Sequence, residues 1–552
     1  MTGPPTREAP VATAPVSAGG LSVRTTGGAL VAAAATVLDQ ARADGLAAAL
    51  ASQDATLWGA EASAEAGARL GWVDAVARSR PLVEQVVRLR DALRAEGVDR
   101  VLLCGMGGSS LAPELICSFA GVPLDVLDTT DPGQVRTELR DLSRTVVVVS
   151  SKSGGTLETD SHRRAARAAF EASGVDPATR LVVVTDPGSA LEQTAHEQGC
   201  REVFLADPDV GGRYAALTAF GLVPSGLAGA DVAALLDEAA ALEPSLSSDD
   251  GPALALGAVL GGAAVDGRDK VVLVADPSLR GFGAWAEQLL AESTGKSGVG
   301  LLPVVVEDLE APGTEPAADT HLVLVGAASP ADELQVPHTA VSGPLGAQLL
   351  AWEYATAVSG RVLQVNPFDQ PDVQESKDNA SALLTGAAPP ERDALLVEDG
   401  VEVRATGDLL AEVGDLDGAL QALLDAVPER GYLAVMAYLD RLAEAGAAQL
   451  RPSLAARLAH PVTFGWAPRL LHSTGQLHKG GPRRGAFLLV TAAVAEDAEV
   501  PGRPHSFGRL QSAQALGDLR ALADRDRPVL HLHLADRSRG LATLLRAAGG
   551  RP

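Results

Sequence analysis

The sequence is short of aromatic residues and contains no long hydrophobic run. Phenylalanine, tryptophan and tyrosine make up only 3% of the 552 residues, whereas glycine alone numbers 58. Because alanine and glycine are abundant throughout, we attribute them to a compositional bias, so alanine-rich stretches carry little information about helices. No run of about 18 apolar residues suggests a membrane span, and the amino terminus lacks the basic start and apolar centre of a signal peptide. The sequence therefore predicts neither a transmembrane segment nor a secretory signal.

Cysteine is also rare, and its pattern indicates neither a disulfide framework nor a metal site. The three cysteines, Cys104, Cys117 and Cys200, are an odd number and form no C-x-x-C motif. Reduced thiols in a cytoplasmic protein are the simplest interpretation of this pattern. We therefore expect a cytoplasmic location and no bound metal.

Basic residues are the scarcer charged class. The chain has 45 lysines and arginines against 70 aspartates and glutamates, which gives a net charge of −25. This acidity argues against nucleic acid or an anionic membrane as the main partner. Any site for an anionic ligand must then be locally positive, and four basic residues are candidates for such a site: Lys152, Arg213, Lys296 and Lys377.

The chain is long enough for two or three domains with large cores, and strand–turn–helix patterns recur in two series. Strands that alternate with helices indicate βαβ units and parallel sheets. The predicted strands of the first series are Val101–Gly105, Asp125–Thr129, Thr145–Val149, Leu181–Thr185 and Glu202–Leu205. The predicted strands of the second series are Val271–Ala275, Leu301–Val306, His321–Gly326 and Val362–Asn366.

These series predict an α/β protein with two parallel-sheet domains. The predicted segments are a disordered tail (1–20), a helical N-terminal wrap (21–96), a first sheet domain (97–230), a helical connection (231–268) and a second sheet domain (269–377).

Residues 378–552 are predicted to form an α/β C-terminal extension that completes the second domain and its site. Within it, Val401–Leu450 is predicted to be mostly helical. Two further strands, Ala486–Thr491 and Val529–Leu534, are predicted around a helix near 508–524.

A serine- and glycine-rich turn, S-S-K-S-G-G-T-L-E-T at Ser150–Thr159, joins a β-branched strand to a helix. Hydroxyls at Ser151, Ser153 and Thr156, together with free N–H groups at the helix start, favour a phosphate there. Lys152 can add a positive charge. The alternative is an ordinary serine-rich helix cap. No G-x-x-x-x-G-K-[ST] motif is present, which favours a sugar phosphate over a nucleotide.

A second turn of small residues, M-G-G-S-S at Met106–Ser110, follows another predicted strand of the same sheet. Ligands of parallel sheets lie beyond the carboxyl ends of the strands, so both turns are expected at one edge. Gly211 and Gly212 are expected to place Arg213 on a tight turn close to that edge. Two such turns at one edge favour a sugar-phosphate site over an ordinary helix cap.

Five short motifs occur in a fixed order along the chain. They are G-M-G-G-S-S-L (105–111), S-K-S-G-G-T-L-E-T (151–159), D-V-G-G-R-Y-A-A-L-T-A-F-G (209–221), A-E-S-T-G-K (291–296) and F-D-Q-P-D-V-Q-E-S-K (368–377). Together they resemble the glucose-6-phosphate isomerase family, whose members have two sugar-isomerase (SIS) domains. The resemblance covers about residues 60–377 directly. It implies SIS-type sandwich domains and reversible isomerisation of glucose 6-phosphate and fructose 6-phosphate in glycolysis and gluconeogenesis. It also implies a homodimer and no cofactor.

The resemblance also implies a role for each matching residue. Glu292 matches the base that moves a proton between C1 and C2, and Arg213 matches the arginine that stabilises the enediolate. Lys377 matches a lysine that assists ring opening. The matching phosphate contacts are Gly108, Ser109, Ser151, Ser153 and Thr156, and Lys152 lies within the same loop as a further expected contact. Gln370 matches a glutamine at the sugar end of the site.

The sequence departs from the family pattern in the phosphate turn and in its histidines. Gly154 and Gly155 stand where many members carry bulkier or hydroxylated residues, so this turn offers fewer phosphate contacts. The family's histidine context, here H-S-T-G-Q-L-H-K-G-G, lies after the lysine motif instead of before it. We hypothesise that His472 or His478 enters the site from the extension, in the same chain or from a neighbouring subunit.

Ring opening and proton transfer need an anchored phosphate, acid–base groups, a carboxylate base and a cation beside the enediolate. They require no metal or redox cofactor. Two alternatives stay open, namely an isomerase that also accepts mannose 6-phosphate and a non-catalytic SIS sensor of a sugar phosphate. A sensor needs the phosphate turns but not Glu292, Arg213 or Lys377. Without the resemblance, an ordinary helix pair between Glu292 and Lys296 would be the simpler interpretation.

Overall fold

The computed structural model describes residues 11–326, 334–386, 393–411 and 413–549. These residues contain three β-sheets flanked by helices. Within these ranges, no helix is both long and apolar enough to cross a membrane. The elements of the N-terminal segment are β1 (Val16–Ala18), β2 (Leu21–Thr26), α1 (Gly28–Asp44), α2 (Leu46–Ala51), α3 (Ser63–Gly67) and α4 (Ala75–Ala95). Of the predicted disordered tail, residues 1–10 lie outside the described residues, whereas β1 is an ordered strand that pairs with β2.

The first sheet is fully parallel, with the strand order β4-β3-β5-β6-β7. Its elements are β3 (Arg100–Gly105), α5 (Leu111–Ala120), β4 (Asp125–Leu127), α6 (Pro132–Glu138), β5 (Thr145–Ser150), α7 (Leu157–Ala172), β6 (Leu181–Thr185), α8 (Ala190–Glu197) and β7 (Glu202–Leu205). The central strand β5 is buried at every position, as its unbroken β-branched run predicts for a strand covered on both faces. All five predicted strands of this series are confirmed.

A helical connection leads to the second sheet, whose strand order is β1-β2-β11-β10-β8-β9. The elements are α9 (Ala219–Ala228), α10 (Val232–Leu242), α11 (Pro252–Val265), β8 (Lys270–Ala275), α12 (Phe282–Thr294), β9 (Leu302–Val305), β10 (Thr320–Val325), β11 (His338–Ser342), α13 (Leu345–Val362) and α14 (Val373–Leu384). The N-terminal strand β2 pairs antiparallel with β11 and so extends this sheet.

One predicted strand of the second sheet is wrong. The stretch Val362–Asn366 is not a strand, because α13 continues to Val362 and a turn follows. The fourth parallel strand of this sheet is instead β11, whose sequence is H-T-A-V-S. Its mixed polar sequence lacks the apolar run that predicts the other strands.

The C-terminal residues form a third sheet of their own, with the order β12-β13-β17-β16-β14-β15. Its elements are β12 (Leu396–Glu398), β13 (Val401–Ala405), α15 (Leu416–Asp425), β14 (Tyr432–Tyr438), α16 (Leu450–Ala455), β15 (Val462–Trp466), α17 (Gly475–Gly480), β16 (Gly485–Ala492), α18 (Phe507–Ala523), β17 (Val529–Leu534) and α19 (Arg537–Ala547). The predicted strands β16 and β17 and the helix between them are confirmed. The predicted helical stretch Val401–Leu450 is wrong, because it contains the strands β13 and β14.

The third sheet packs face to face against the second. Alternate residues of β14 point in opposite directions, as in any strand. Leu433, Val435 and Ala437 enter the core beneath the helices of the third sheet. Tyr432 and Met436 pack with residues of β8, β9 and β10 in a core shared with the second sheet. Burial on both faces explains why this strand is apolar throughout.

Candidate active site

The two predicted phosphate turns meet at one edge of the first sheet. Strands β3 and β5 are neighbours, with Gly105 paired to Ser150, so the turns that follow them begin side by side. Thr156 is the cap residue of α7, and its side chain makes no capping hydrogen bond; its hydroxyl accepts from Ser151 Oγ at 3.4 Å instead. A Cβ atom on Gly108 would lie 1.9 Å from the carbonyl oxygen of Gly212. Glycine there lets the first turn touch the turn that carries Arg213.

A cavity of about 580 Å³ opens at this edge and brings most of the predicted residues together. The predicted residues that line it are Gly108, Ser109, Ser151, Lys152, Ser153, Thr156, Arg213, Glu292, Gln370 and His472. Other lining residues were not predicted, and they include Glu65, Arg69, Asp186, Gln288, Phe368 and Asp369. The site therefore draws on all three sheets and on the N-terminal segment.

Arg213 is buried and held from several directions. Its Nε donates to Ser293 Oγ at 2.8 Å, and Nη1 donates to Gln370 Oε1 at 2.9 Å. Nη2 donates to the carbonyl oxygens of Pro367 and Asp369 at 2.7 and 2.9 Å. These fixed contacts leave the guanidinium 3.2 Å from Oε1 of Glu292. A rigid cation therefore lies directly beside the predicted base.

Glu292 points into the cavity from α12 and is about nine-tenths buried. Its Oε2 accepts a hydrogen bond of 3.1 Å from Gln288 Nε2, one helical turn earlier. The alternative pairing with Lys296 does not occur. Lys296 Nζ donates instead to Asp369 Oδ1 at 2.7 Å and to the carbonyl of Asn366 at 2.7 Å. The four-residue spacing of Gln288 and Glu292 on one helix is the signal that could have identified Gln288.

Lys296 fastens the loop that leads to Gln370. Besides its bonds to Asn366 and to the Asp369 carboxylate, its Nζ donates to the Asp369 carbonyl at 2.6 Å. Burial, and then the nearby charge of Arg213, lower the pKa of Lys296 to about 8. Arg213 and Lys296 thus hold the same loop through its backbone oxygens.

His472 enters the cavity from the third sheet of the same chain. It ends a short 3₁₀ helix, Arg469–His472, that follows β15. Its Nε2 lies 3.1 Å from Glu158 Oε1, and Glu158 also accepts a 2.7 Å hydrogen bond from Gln514 Nε2. The backbone oxygen of His472 accepts from Gln288 Nε2 at 2.7 Å. Gln288 Nε2 thus bonds both the backbone of His472 and the Glu292 carboxylate. Glu158 belongs to the T-L-E-T part of the phosphate motif, where its role was not predicted.

Two predicted residues remain, His478, which does not line this cavity, and Lys377. His478 lies in α17, buried between Tyr432 and Phe487, with its Nδ1 3.0 Å from the Tyr432 hydroxyl. Burial, helped by nearby Lys479 and Arg527, lowers its pKa to about 3. The expectation that His478 enters the site is therefore not met. Lys377 lies in α14, and its side chain is outside the described part of the chain.

A family model described as "Phosphoglucose isomerase" matches residues 76–307, which include both phosphate turns, Arg213 and Glu292. Glucose-6-phosphate isomerase of Thermosynechococcus vestitus is 30% identical over 385 residues, covering 58% of this chain and 71% of that protein. Glucose-6-phosphate isomerase of Synechococcus sp. (strain JA-2-3B'a(2-13)) is 34% identical over 239 residues, covering 41% of this chain. This chain covers less than half of the length of the Synechococcus protein and of several similar relatives.

Solved structures support the same fold. A glucose-6-phosphate isomerase from Chlamydia trachomatis superposes with a TM-score of 0.53 at 19% identity, covering 68% of this chain and 91% of that chain. A hypothetical protein from Thermus thermophilus superposes with a TM-score of 0.50 at 26% identity, covering 56% of this chain and 89% of that chain. Among the relatives, the Thermosynechococcus vestitus isomerase is matched at 30% identity over 71% of its length. This chain therefore belongs to the phosphoglucose isomerase family.

Proposed function

We propose that the protein interconverts glucose 6-phosphate and fructose 6-phosphate, as a step of glycolysis and gluconeogenesis. The observation that carries the proposal is the contact between Arg213 and Glu292, 3.2 Å apart in the cavity that also contains both phosphate turns. A cavity of about 580 Å³ is in the size range of small-molecule sites. This arrangement also argues against a non-catalytic sensor, which has no use for a base held beside a cation.

The proposed mechanism begins with the phosphate on the two turns, where hydroxyls and N–H groups bind it. The His472–Glu158 pair then moves a proton between the ring oxygen and the anomeric hydroxyl, which opens the ring. Lys377 remains a predicted assistant in this step.

Proton transfer follows in the open-chain sugar. Glu292 takes the proton from C2 of the aldose, and the electron pair of that C–H bond moves toward the carbonyl to form the enediolate. Arg213 stabilises the negative charge that develops on the oxygen, because a fixed guanidinium needs little rearrangement to do so. The hydroxyl proton on O2 then passes to O1, Glu292 returns its proton to C1, and C2 becomes the carbonyl carbon, which gives the ketose without any net change in protons or electrons.

The test is turnover of fructose 6-phosphate, read through a coupled NADP-dependent glucose-6-phosphate dehydrogenase. We expect Glu292→Gln to lower kcat by roughly 10²–10⁴-fold, because it removes the base. Glu287→Gln is a matched control on the same helix, since Glu287 does not line this cavity. Wild-type protein that binds the sugar phosphate without turnover would refute the isomerase and favour the sensor. An active Glu292→Gln variant would refute only the assignment of the base.

Three finer features belong to the same proposal. The mannose 6-phosphate activity is not favoured, because the named relatives are glucose-6-phosphate isomerases. A cytoplasmic location and a homodimer are proposed from the resemblance. The dimer is not needed to supply the histidine, since His472 of the same chain already stands beside Glu158.

A further inference from the structure

We propose that Arg69, from the N-terminal segment, is a phosphate-binding residue of this site and acts together with Lys152. The proposal rests on the proposed function only in taking the bound anion to be the phosphate of the substrate. Arg69 lies outside the motifs that identify the family and outside the residues matched by the family model. It lines the same cavity as Ser151, Ser153 and Thr156.

The backbone around Arg69 is fixed to the turn that carries Arg213. Leu70 forms an isolated antiparallel bridge with Val210. The N–H of Gly71 donates to the carbonyl of Asp209 at 3.0 Å. A Cβ atom on Gly211 would lie 3.8 Å from Cδ of Arg69, so the arginine side chain runs past the G-G-R turn. The guanidinium is therefore held at the entrance to the phosphate turns.

Arg69 and Lys152 are brought together on one backbone oxygen. Lys152 Nζ donates to the carbonyl of Pro208 at 3.0 Å, and Arg69 Nη1 donates to the same oxygen at 3.3 Å. The two positive charges are thus within about two hydrogen-bond lengths of each other. The Pro208 carbonyl carries no net charge, whereas a phosphate dianion between the two cations would be attracted to both. An arginine fork also suits two phosphate oxygens at once.

Each of the two cations also pairs with a carboxylate. Lys152 Nζ lies 2.6 Å from Asp186 Oδ2, and Arg69 Nε lies 3.0 Å from Glu65 Oε1. Both carboxylates also line the cavity, in a chain of net charge −25. A dianionic substrate therefore needs more than one cation at this end.

The phosphate turn itself cannot easily supply a further contact. Gly154 has a φ of +72°, and a Cβ atom there would lie 2.6 Å from Cβ of Leu191 on α8. A hydroxyl-bearing residue at this position would thus be strained and would collide with the neighbouring helix. A cation from outside the turn compensates for the missing hydroxyls. The competing view is that Arg69 and Glu65 are an ordinary surface pair of little energetic weight.

The first experiment compares Arg69→Gln with wild type. We expect the KM for fructose 6-phosphate to rise roughly tenfold while kcat changes less than about twofold, because the phosphate is bound equally in the ground and transition states. Arg69→Lys keeps the charge and is expected to restore part of the affinity. Arg88→Gln is the matched control, since Arg88 forms an equivalent pair with Glu84 on the exposed side of α4. If Arg69→Gln instead lowers both kcat and the thermal midpoint of unfolding, Arg69 has a structural role and the proposal is overturned.

A second measurement uses inorganic phosphate as the probe and does not depend on turnover. Phosphate is expected to raise the thermal midpoint of the wild type, and Arg69→Gln is expected to need roughly tenfold more phosphate for the same rise. If this dependence is found in a protein without isomerase activity, the phosphate site stands and the proposed function fails. If the wild type is an isomerase and Arg69→Gln changes neither KM nor the phosphate response beyond about twofold, only the role of Arg69 is overturned.

Discussion

Two cavities are both lined by residues of helix α12 and of the turn Arg469–His472, and their arginines have different partners. The active-site cavity contains Arg213, whose guanidinium is held by two backbone carbonyls, an amide oxygen and a hydroxyl besides Glu292. The second cavity, of about 520 Å³, lies where the three sheets meet. We call it the junction cavity. Its arginines, Arg441 and Arg469, both contact the carboxylates of Glu114 and Asp128.

The difference separates the proposed catalytic cation from a structural one. Neutral oxygens fix Arg213, and Glu292 is the carboxylate beside it, so in the proposed mechanism the charge becomes available to a developing enediolate once Glu292 takes up a proton. In the junction cavity, two carboxylates balance two guanidinium groups and join the first sheet to the third. Burial alone would raise the pKa of Glu114, but Arg469 and Arg441 lower it to about 2. An arginine in a cavity is therefore not by itself a sign of catalysis, and its partners decide its role.

The same helix also presents one glutamate to each cavity. Glu292 faces the active site, and Glu287 lines the junction cavity. Burial raises the pKa of Glu287 to about 8, although Arg469 and a hydrogen bond from Ser473 oppose that shift. Glu287 is thus a buried neutral acid near pH 7, whereas Glu292 touches a cation and an amide.

The largest effect that would test this comparison is the loss of enzyme activity when Arg213 is substituted. We expect Arg213→Lys to lower kcat by roughly 10²–10³-fold, because a lysine cannot make the five-donor contacts that orient the charge. Arg441→Lys, in the junction cavity, is expected to leave kcat within about threefold of wild type. Steady-state kinetics in the coupled assay measure both variants. Similar losses of kcat in the two would contradict the distinction between the cavities.

A smaller effect concerns stability and is expected only in the junction cavity. Glu114→Gln leaves Arg441 and Arg469 with one carboxylate fewer, and we expect it to lower the free energy of unfolding by about 1–3 kcal/mol while kcat is unchanged. Glu84→Gln, in an exposed helix pair, is the control and is expected to cost less than about 0.5 kcal/mol. Urea unfolding at pH 7 measures both. A Glu114→Gln variant as stable as wild type would show that these ion pairs do not hold the sheets together.

The smallest effect is a change in the pH dependence of stability at Glu287. Its pKa is raised on folding, so between its ordinary value and about 8 the folded protein keeps a proton that the unfolded chain has released. Stability from this group is complete at low pH and is lost as pH rises through that window. Between pH 6 and 7 we expect the wild type to lose up to about 1.4 kcal/mol relative to Glu287→Gln. Parallel stability curves for the two proteins would contradict a neutral Glu287.

Sequence patterns locate the phosphate end of the site well. Runs of β-branched residues predict β3 and β5, and small residues follow each run. Parallel neighbours must end at the same edge, so the meeting of the two turns is predictable. Arg213 and Glu292 are found through their motifs, which are local and short. These features depend on residues close together in the chain.

Other elements leave no comparable signal. The strands β13 and β14 lie in an alanine-rich stretch that looks helical. They are strands because their side chains fill the core of the third sheet and the core that it shares with the second sheet. His472 and His478 share one motif, yet only His472 lines the cavity. The chain turns between them into α17, whose Gln476 is fixed by the carbonyl of Gly295 at 3.0 Å.

Local patterns in the chain are enough to specify the parallel α/β architecture, the phosphate turns and the arginine and glutamate of the site. Periodicity and short motifs act over a few residues, so they can be recognised without a fold. Long-range packing, in contrast, sets which histidine lines the cavity, that Glu158 pairs with it, and that Arg69 meets Lys152 on Pro208. Those contacts join residues up to 314 positions apart, and the packing of separate sheets, which no local pattern encodes, sets their distances.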